Sequence, residues 1–165
     1  MNETNTNPHR EPVVTAIHRR VERLRRGEEP GLVARLTSGW AVMGTRQVVP
    51  GYCLLLPDPV VASLNDLPGA ARSAFLDDMA RLGDAVLAAT GCARINYEIL
   101  GNLEPALHAH IVPRRLAEPD DLRTRPIWFF DWEAAPVFDP SIHGALVASI
   151  REGLGHGRSR SDGDR

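Results

Sequence analysis

Between Ala106 and Arg114 the chain runs Ala-Leu-His-Ala-His-Ile-Val-Pro-Arg, and this run constrains the fold more than any other stretch. Side chains two apart on a strand share a face. His108 and His110 therefore project together, with Ala106 on their side. Leu107, Ala109 and Ile111 point the opposite way, into a core. Just upstream, Asn96 to Leu100 alternates in the same manner and closes at Gly101-Asn102, a turn signal. The two segments read as antiparallel strands joined by a loop, over residues 93–100 and 107–112. Polar groups of that loop would lie near the imidazoles.

The rest of the chain supplies partners for these strands. Leu32–Leu36 and Trp40–Met43 flank Ser38-Gly39 and read as a hairpin. Pro50-Gly51 turns into the apolar run Cys53-Leu54-Leu55-Leu56, which suits a strand buried on both faces. Asn65-Asp66-Leu67-Pro68 is a helix start. Ala71, Phe75, Met79, Leu82 and Val86 then keep helical spacing until Thr90-Gly91. Val13, Ile17, Val21 and Leu24 predict an earlier helix with Pro12 in its first turn. Its other face carries Arg19, Arg20, Arg23, Arg25 and Arg26, read as a solvated face. A last helix starts at Asp139-Pro140 and stops at Gly155. Residues 114–140 hold four prolines and should wrap the surface without regular structure. Trp128-Phe129-Phe130-Asp131-Trp132 lies within them. It reads as core or interface, with the wall of a base pocket as the other reading. His143 is read as incidental.

The predicted architecture is α+β: an antiparallel sheet of about five strands, a long helix packed on it, and N- and C-terminal helices. A length of 165 residues suits one domain. That domain is expected over 12–155, between polar, disordered ends at 1–11 and 156–165. With 43% hydrophobic and 24% charged residues, the composition is that of a soluble globular protein. No apolar run is long enough to span a membrane, and Met1–Pro12 has no signal-peptide core. Two cysteines, Cys53 and Cys92, form neither a disulfide framework nor a zinc pattern, so a cytoplasmic setting is expected. A net charge of −2 argues against a dedicated nucleic-acid binder. All 19 basic residues are arginine. That excludes a lysine Schiff base and the lysine of a P-loop, so a phosphate clamp would have to use Arg, His, backbone N–H groups or a metal.

The run at 106–114 resembles the signature of the histidine triad (HIT) family of nucleotide hydrolases and transferases, His-φ-His-φ-His-φ-φ with φ apolar, often followed by Pro-Arg. His108 and His110 match its second and third histidines, and Pro113-Arg114 follows. Ala106 stands where the family has its first. Pro50-Gly51-Tyr52 is similar to the family's Pro-Gly-His step, with Tyr52 in place of histidine. The resemblance spans about residues 30–115. It implies a HIT-like fold, a homodimer and a reaction that needs no cofactor and no metal.

The chemistry gives the spacing a reason. An uncharged imidazole has a free lone pair near neutral pH, and attack on phosphorus makes a covalent intermediate. The resemblance makes His108 the nucleophile toward the α-phosphorus of a nucleoside 5′-phosphoryl substrate. The other nitrogen of His108 must then be protonated and held, most simply by a backbone carbonyl. His110 can donate to phosphate oxygens as charge develops. Asn102, with Gly101, occupies the place of a polar family residue against phosphate. Asn also suits such a turn for its tolerance of φ > 0, and the two readings are compatible. Arg114 is a further candidate for substrate binding, and Arg114 or Arg115 could partly replace the missing imidazole. Leu103 cannot donate where the family often has Ser or Thr. Glu104 beside it reads as a solvated carboxylate. A non-catalytic nucleotide- or partner-binding module of the same fold is the alternative function. A metal site on His108 and His110 lacks a third ligand at recognisable spacing.

Overall fold

The computed structural model describes residues 14–156. The predicted disordered end at 1–11 and residues 157–165 of the one at 156–165 lie outside these residues, as do Pro12 and Val13, while His156 is the last residue of a helix. Five strands form one antiparallel sheet: β1 (Leu32–Arg35), β2 (Gly39–Met43), β3 (Cys53–Pro57), β4 (Arg94–Ile99) and β5 (Ala109–Arg114), in the order β1-β2-β3-β5-β4. The helices are α1 (Ala16–Arg25), α2 (Gly69–Thr90), α3 (Asp120–Arg123) and α4 (Pro140–His156). The fold class is the expected α+β. Among the described residues no helix is long and apolar enough to cross a membrane.

The all-apolar run Cys53–Leu56 becomes the central strand, and every residue of β3 is buried. Its alternate side chains feed two cores. Cys53 and Leu55 join Ala41, Met43, Leu107, Ala109 and Ile111 under α2 and α4. Tyr52, Leu54 and Leu56 join Val42, Ala106, Val112 and the apolar stripe of α1 on the other face. Leu107 and Ile111 therefore face α2, away from the histidine side, as the alternation requires.

Boundaries move where a cap decides them. Helix α1 begins after Thr15, whose hydroxyl accepts from the His18 N–H while the His18 ring reaches back to the Thr15 N–H. This capping box sets the start at Ala16, three residues beyond the first apolar position, Val13. At Asn65-Asp66 the chain makes a 3-10 turn, and α2 starts only after Pro68. Gly91 ends α2 in the left-handed region at φ 60°. Helix α4 runs one residue past Gly155. The 114–140 segment is mostly irregular, as predicted, with α3 and a 3-10 turn at Ile127–Phe129 inside it.

The arginine face of α1 is not simply solvated. Arg20 is buried and donates to the Met43 carbonyl (2.7 Å) and Glu29 (3.0 Å). Arg23 also pairs with Glu29, Arg25 with Glu22 and Asp58, and Arg26 with Glu28.

Candidate functional site

The register of β4 and β5 sets the site. Six pairs run from Arg94–Arg114 to Ile99–Ala109, with Glu98 opposite His110. Strand β5 starts at Ala109, so His108 stands one residue before it. The two imidazoles are in contact, with ring centroids 4.8 Å apart and an edge-on angle of 71°. They are not exposed surface groups: His108 is 7% exposed and His110 6%.

His108 is held from within its own segment of chain, just before β5. Its Nδ1 lies 2.7 Å from the Ala106 carbonyl oxygen. A carbonyl can only accept, so Nδ1 carries the hydrogen. In the neutral ring the lone pair then belongs to Nε2. The side chain at position 106 takes no part in this, and alanine meets the requirement through its backbone.

His110 is held across the sheet. Its Nδ1 lies 2.6 Å from the Tyr52 hydroxyl, and the two rings stack with centroids 5.9 Å apart. One proton serves both atoms. Tyr52 reaches this place from the turn before β3, where Gly51 adopts φ 94°, a conformation natural to glycine. Gly44 makes room for it, since a Cβ there would fall 2.2 Å from the Tyr52 ring. Burial pushes the Tyr52 hydroxyl above its ordinary pKa, so it stays protonated. Burial, with a smaller contribution from the neighbouring His108, pulls His110 down to about 4. At neutral pH His110 is an uncharged imidazole.

The aromatic segment closes over this pair. Trp128 meets His110 edge-on at 5.0 Å and stacks on Trp132 at 5.2 Å, and Trp132 meets Tyr52 edge-on at 5.7 Å. The Trp128 indole N–H donates to Glu98 at 2.6 Å. Phe130 and Trp132 pack against the core on the histidine face, in keeping with the core-or-interface reading, while Trp128 is 42% exposed and Phe129 59%, and Trp128 stands against His110. The segment's irregular backbone hides it from periodicity, because tertiary folding alone brings 128–132 to β5. Tyr52 was visible in the sequence only as the residue in place of histidine after Pro50-Gly51, and its contact with His110 comes from the pairing of β3 with β5.

The other sequence candidates fall differently. Gly101 and Asn102 are exposed in the β4–β5 loop, and among the described residues no hydrogen bond joins Asn102 to either histidine. Arg114 is 6% exposed. It pairs with Glu118 at 2.7 Å and donates to the carbonyls of Leu122, Arg123 and Arg125. Buried and bound in this way, it anchors the wrapping segment. Glu104 is not a free solvated carboxylate. It accepts from the Ile17 N–H at the start of α1. Its own burial pushes its pKa up, but hydrogen bonds from Thr15, Ile17 and Ala16, with nearby His108, hold it below the ordinary range. It is therefore unsuited to deliver a proton at neutral pH. His143 is engaged with Asp139 at the start of α4. Among the described residues no group of three or more His, Cys, Asp or Glu is placed to hold a metal ion.

No family model matches the chain, and no curated protein does. Solved structures do. A histidine triad protein of Sinorhizobium meliloti superposes with a TM-score of 0.65 at 24% identity, covering 80% of this chain and 93% of its own. One of Bradyrhizobium japonicum gives 0.66 at 24% identity, over 79% and 94%. A hypothetical histidine triad nucleotide-binding protein of Sulfolobus tokodaii gives 0.64 at 15% identity, over 82% and 91%. At these identities the likeness is one of fold.

Proposed function

We propose that this chain, whose fold is that of histidine triad proteins, is a nucleotide hydrolase or transferase that cleaves a nucleoside 5′-phosphoryl bond through a covalent intermediate on His108. The observation that carries the reading is the bond from His108 Nδ1 to the Ala106 carbonyl. It fixes the tautomer that a nucleophile needs, with the lone pair on Nε2. Nε2 attacks the α-phosphorus as the bond to the leaving group breaks. The leaving group departs with the electron pair and takes a proton from solvent. Water then attacks the phosphorus, the P–N bond breaks, and the nucleoside monophosphate leaves with His108 restored.

His110 serves this reaction as a neutral donor. In the tautomer this role requires, the Tyr52 hydroxyl donates to Nδ1 and the proton of His110 sits on Nε2, ready for a phosphate oxygen as charge builds. A cation is not needed for this role. A dinucleoside polyphosphate or a nucleoside phosphoramidate fits the reaction class. The nucleotide-binding description of the Sulfolobus neighbour agrees with that substrate class. Gly101 and Asn102, in the exposed loop, are the phosphate-side contacts of this reading. The functional unit is a homodimer joined along the free edge of β4.

The test is steady-state hydrolysis of an adenosine phosphoramidate and a dinucleoside polyphosphate, with mass spectrometry of the protein during turnover. The wild type gains the mass of one nucleotidyl group. His108→Ala loses that adduct and several orders of magnitude in rate. His110→Ala loses a factor of about 10²–10³. Ala106→His changes little, because the carbonyl and not the side chain holds His108. Equal rates for wild type and His108→Ala on every substrate would leave a binding module of the same fold.

A further inference from the structure

On the same face of β4 and β5 as His110, but toward the opposite end of the strands, lies a cavity of about 500 Å³. Five guanidinium groups line it (Arg94, Arg114, Arg115, Arg123 and Arg125) against two carboxylates, Glu98 and Glu118. In a chain of net charge −2 this is a concentrated positive site. The carboxylates are already used. Glu118 is bound by Arg114, and Glu98 accepts from Trp128.

The four other arginines are left short of anionic partners. Arg94 has no ion-pair partner among the described residues. Arg125 lies over the Phe129 ring at 5.2 Å. Arg123 pairs with Asp120, whose side chain is 88% exposed, and a surface pair of this kind holds its members weakly. The Nε of Arg115 is buried with no hydrogen-bond partner. A buried guanidinium N–H without an acceptor is uncommon, and an anionic oxygen in the cavity would supply one.

Arg114 explains how the site is built. Its bonds to the carbonyls of Leu122, Arg123 and Arg125 hold the wrapping segment in the course that carries Arg123 and Arg125 to the cavity. Asn96 and Thr124 add neutral polar groups to the lining. These side chains stand off the face of the sheet, so a second copy pairing with the edge of β4 would leave them accessible.

We propose that this cavity is a binding site for a multiply charged oligophosphate, with Arg94, Arg115, Arg123 and Arg125 as its ligands and Arg114 as the residue that shapes it. Planar guanidinium forks match phosphate oxygens in pairs. Several forks around one cavity favour a chain of phosphates over a single monoanion. The site does not depend on the chemistry of His108.

The experiment titrates inorganic tripolyphosphate into the full-length protein at fixed ionic strength, by calorimetry and by NMR of the arginine Nε–Hε groups. The wild type binds, and the signals of Arg94, Arg115 and Arg125 shift while those of Arg19 on α1 and Arg26 just after it stay. Arg94→Gln and Arg125→Gln, both at exposed positions that the core does not need, each weaken binding about tenfold. His108→Ala and Arg19→Gln bind like the wild type. Loss of binding in His108→Ala would move the anion to the histidines and overturn the proposal. Equal shifts of all arginines, or no binding at millimolar tripolyphosphate, would overturn it as well.

Discussion

Two bonds to the Nδ1 atoms, one on each imidazole, fix the geometry of this site. His108 Nδ1 is satisfied by a backbone carbonyl, so its orientation survives any change at position 106 that keeps the course of the backbone. His110 Nδ1 is satisfied by a side chain, Tyr52, and is therefore open to mutation. Tyr52→Phe keeps the ring stacked on His110 and edge-on to Trp132 but removes the hydroxyl. The expected result is a fall in kcat of about 10–100-fold, the usual cost of losing a group that orients a working histidine, with KM little changed. In ring-nitrogen NMR spectra His110 should pass from one tautomer to a mixture. A Phe variant with unchanged kcat and one tautomer would show that Tyr52 only fills space. The buried state of the imidazoles also changes what His108→Ala costs. A surface histidine would shift stability by about ±0.5 kcal/mol. Here the Ala106 carbonyl loses its partner inside the protein, at about 1–3 kcal/mol, so activity must be compared between folded samples.

Among the elements, the two edge strands are treated unequally. At β1, Arg151 of α4 donates to the carbonyls of Val33 (2.8 Å) and Leu32 (3.2 Å), which blunts that edge. Strand β4 ends the sheet on the other side, with Tyr97 42% and Ile99 37% exposed. On α2, Leu76 and Leu87 are also exposed. An unpaired strand flanked by apolar side chains is a template for another strand. The homodimer reading places a second copy there. Light scattering should give twice the monomer mass for the wild type, and Ile99→Lys should shift it toward the monomer, since a lysine on an edge opposes pairing. A wild type that scatters as a monomer at all working concentrations would remove the dimer.

For the whole molecule, the buried His110 makes stability depend on pH. In the unfolded chain this imidazole takes its proton near the ordinary value of about 6.5. In the fold it does so only near 4. Between those values the unfolded state binds more protons, so stability falls as pH drops. The stabilisation is nearly complete at pH 7. About 2 kcal/mol of it should be gone at pH 5 and about 3 kcal/mol at pH 4. Glu118, held low by Arg114 and the Arg115 N–H against the opposing effect of its burial, adds a loss only at more acid pH. Urea denaturation at pH 7 and 5 tests this. His110→Asn, which cannot titrate, should show a smaller loss than the wild type over that interval, and equal losses would place the sensitivity elsewhere.

What the sequence determined by itself was local and periodic. Period-two alternation put His108 and His110 on one face, the apolar run at 53–56 marked the strand buried on both sides, and helical spacing marked α2. These features follow from backbone geometry, which the residues of one segment express without help from any other. The carbonyl that holds His108 was also legible, because it lies two residues away in the same run. Tertiary structure alone decided the rest. Arg114 looked like a ligand because its sequence neighbours carry chemistry, but in the fold it is buried and bound to Glu118 and three carbonyls of the wrapping segment. Tyr52 and Trp128 meet His110 across sequence separations that no periodicity encodes. The burial that sets the charge of His110 comes from those contacts, since a desolvated imidazole keeps its neutral form.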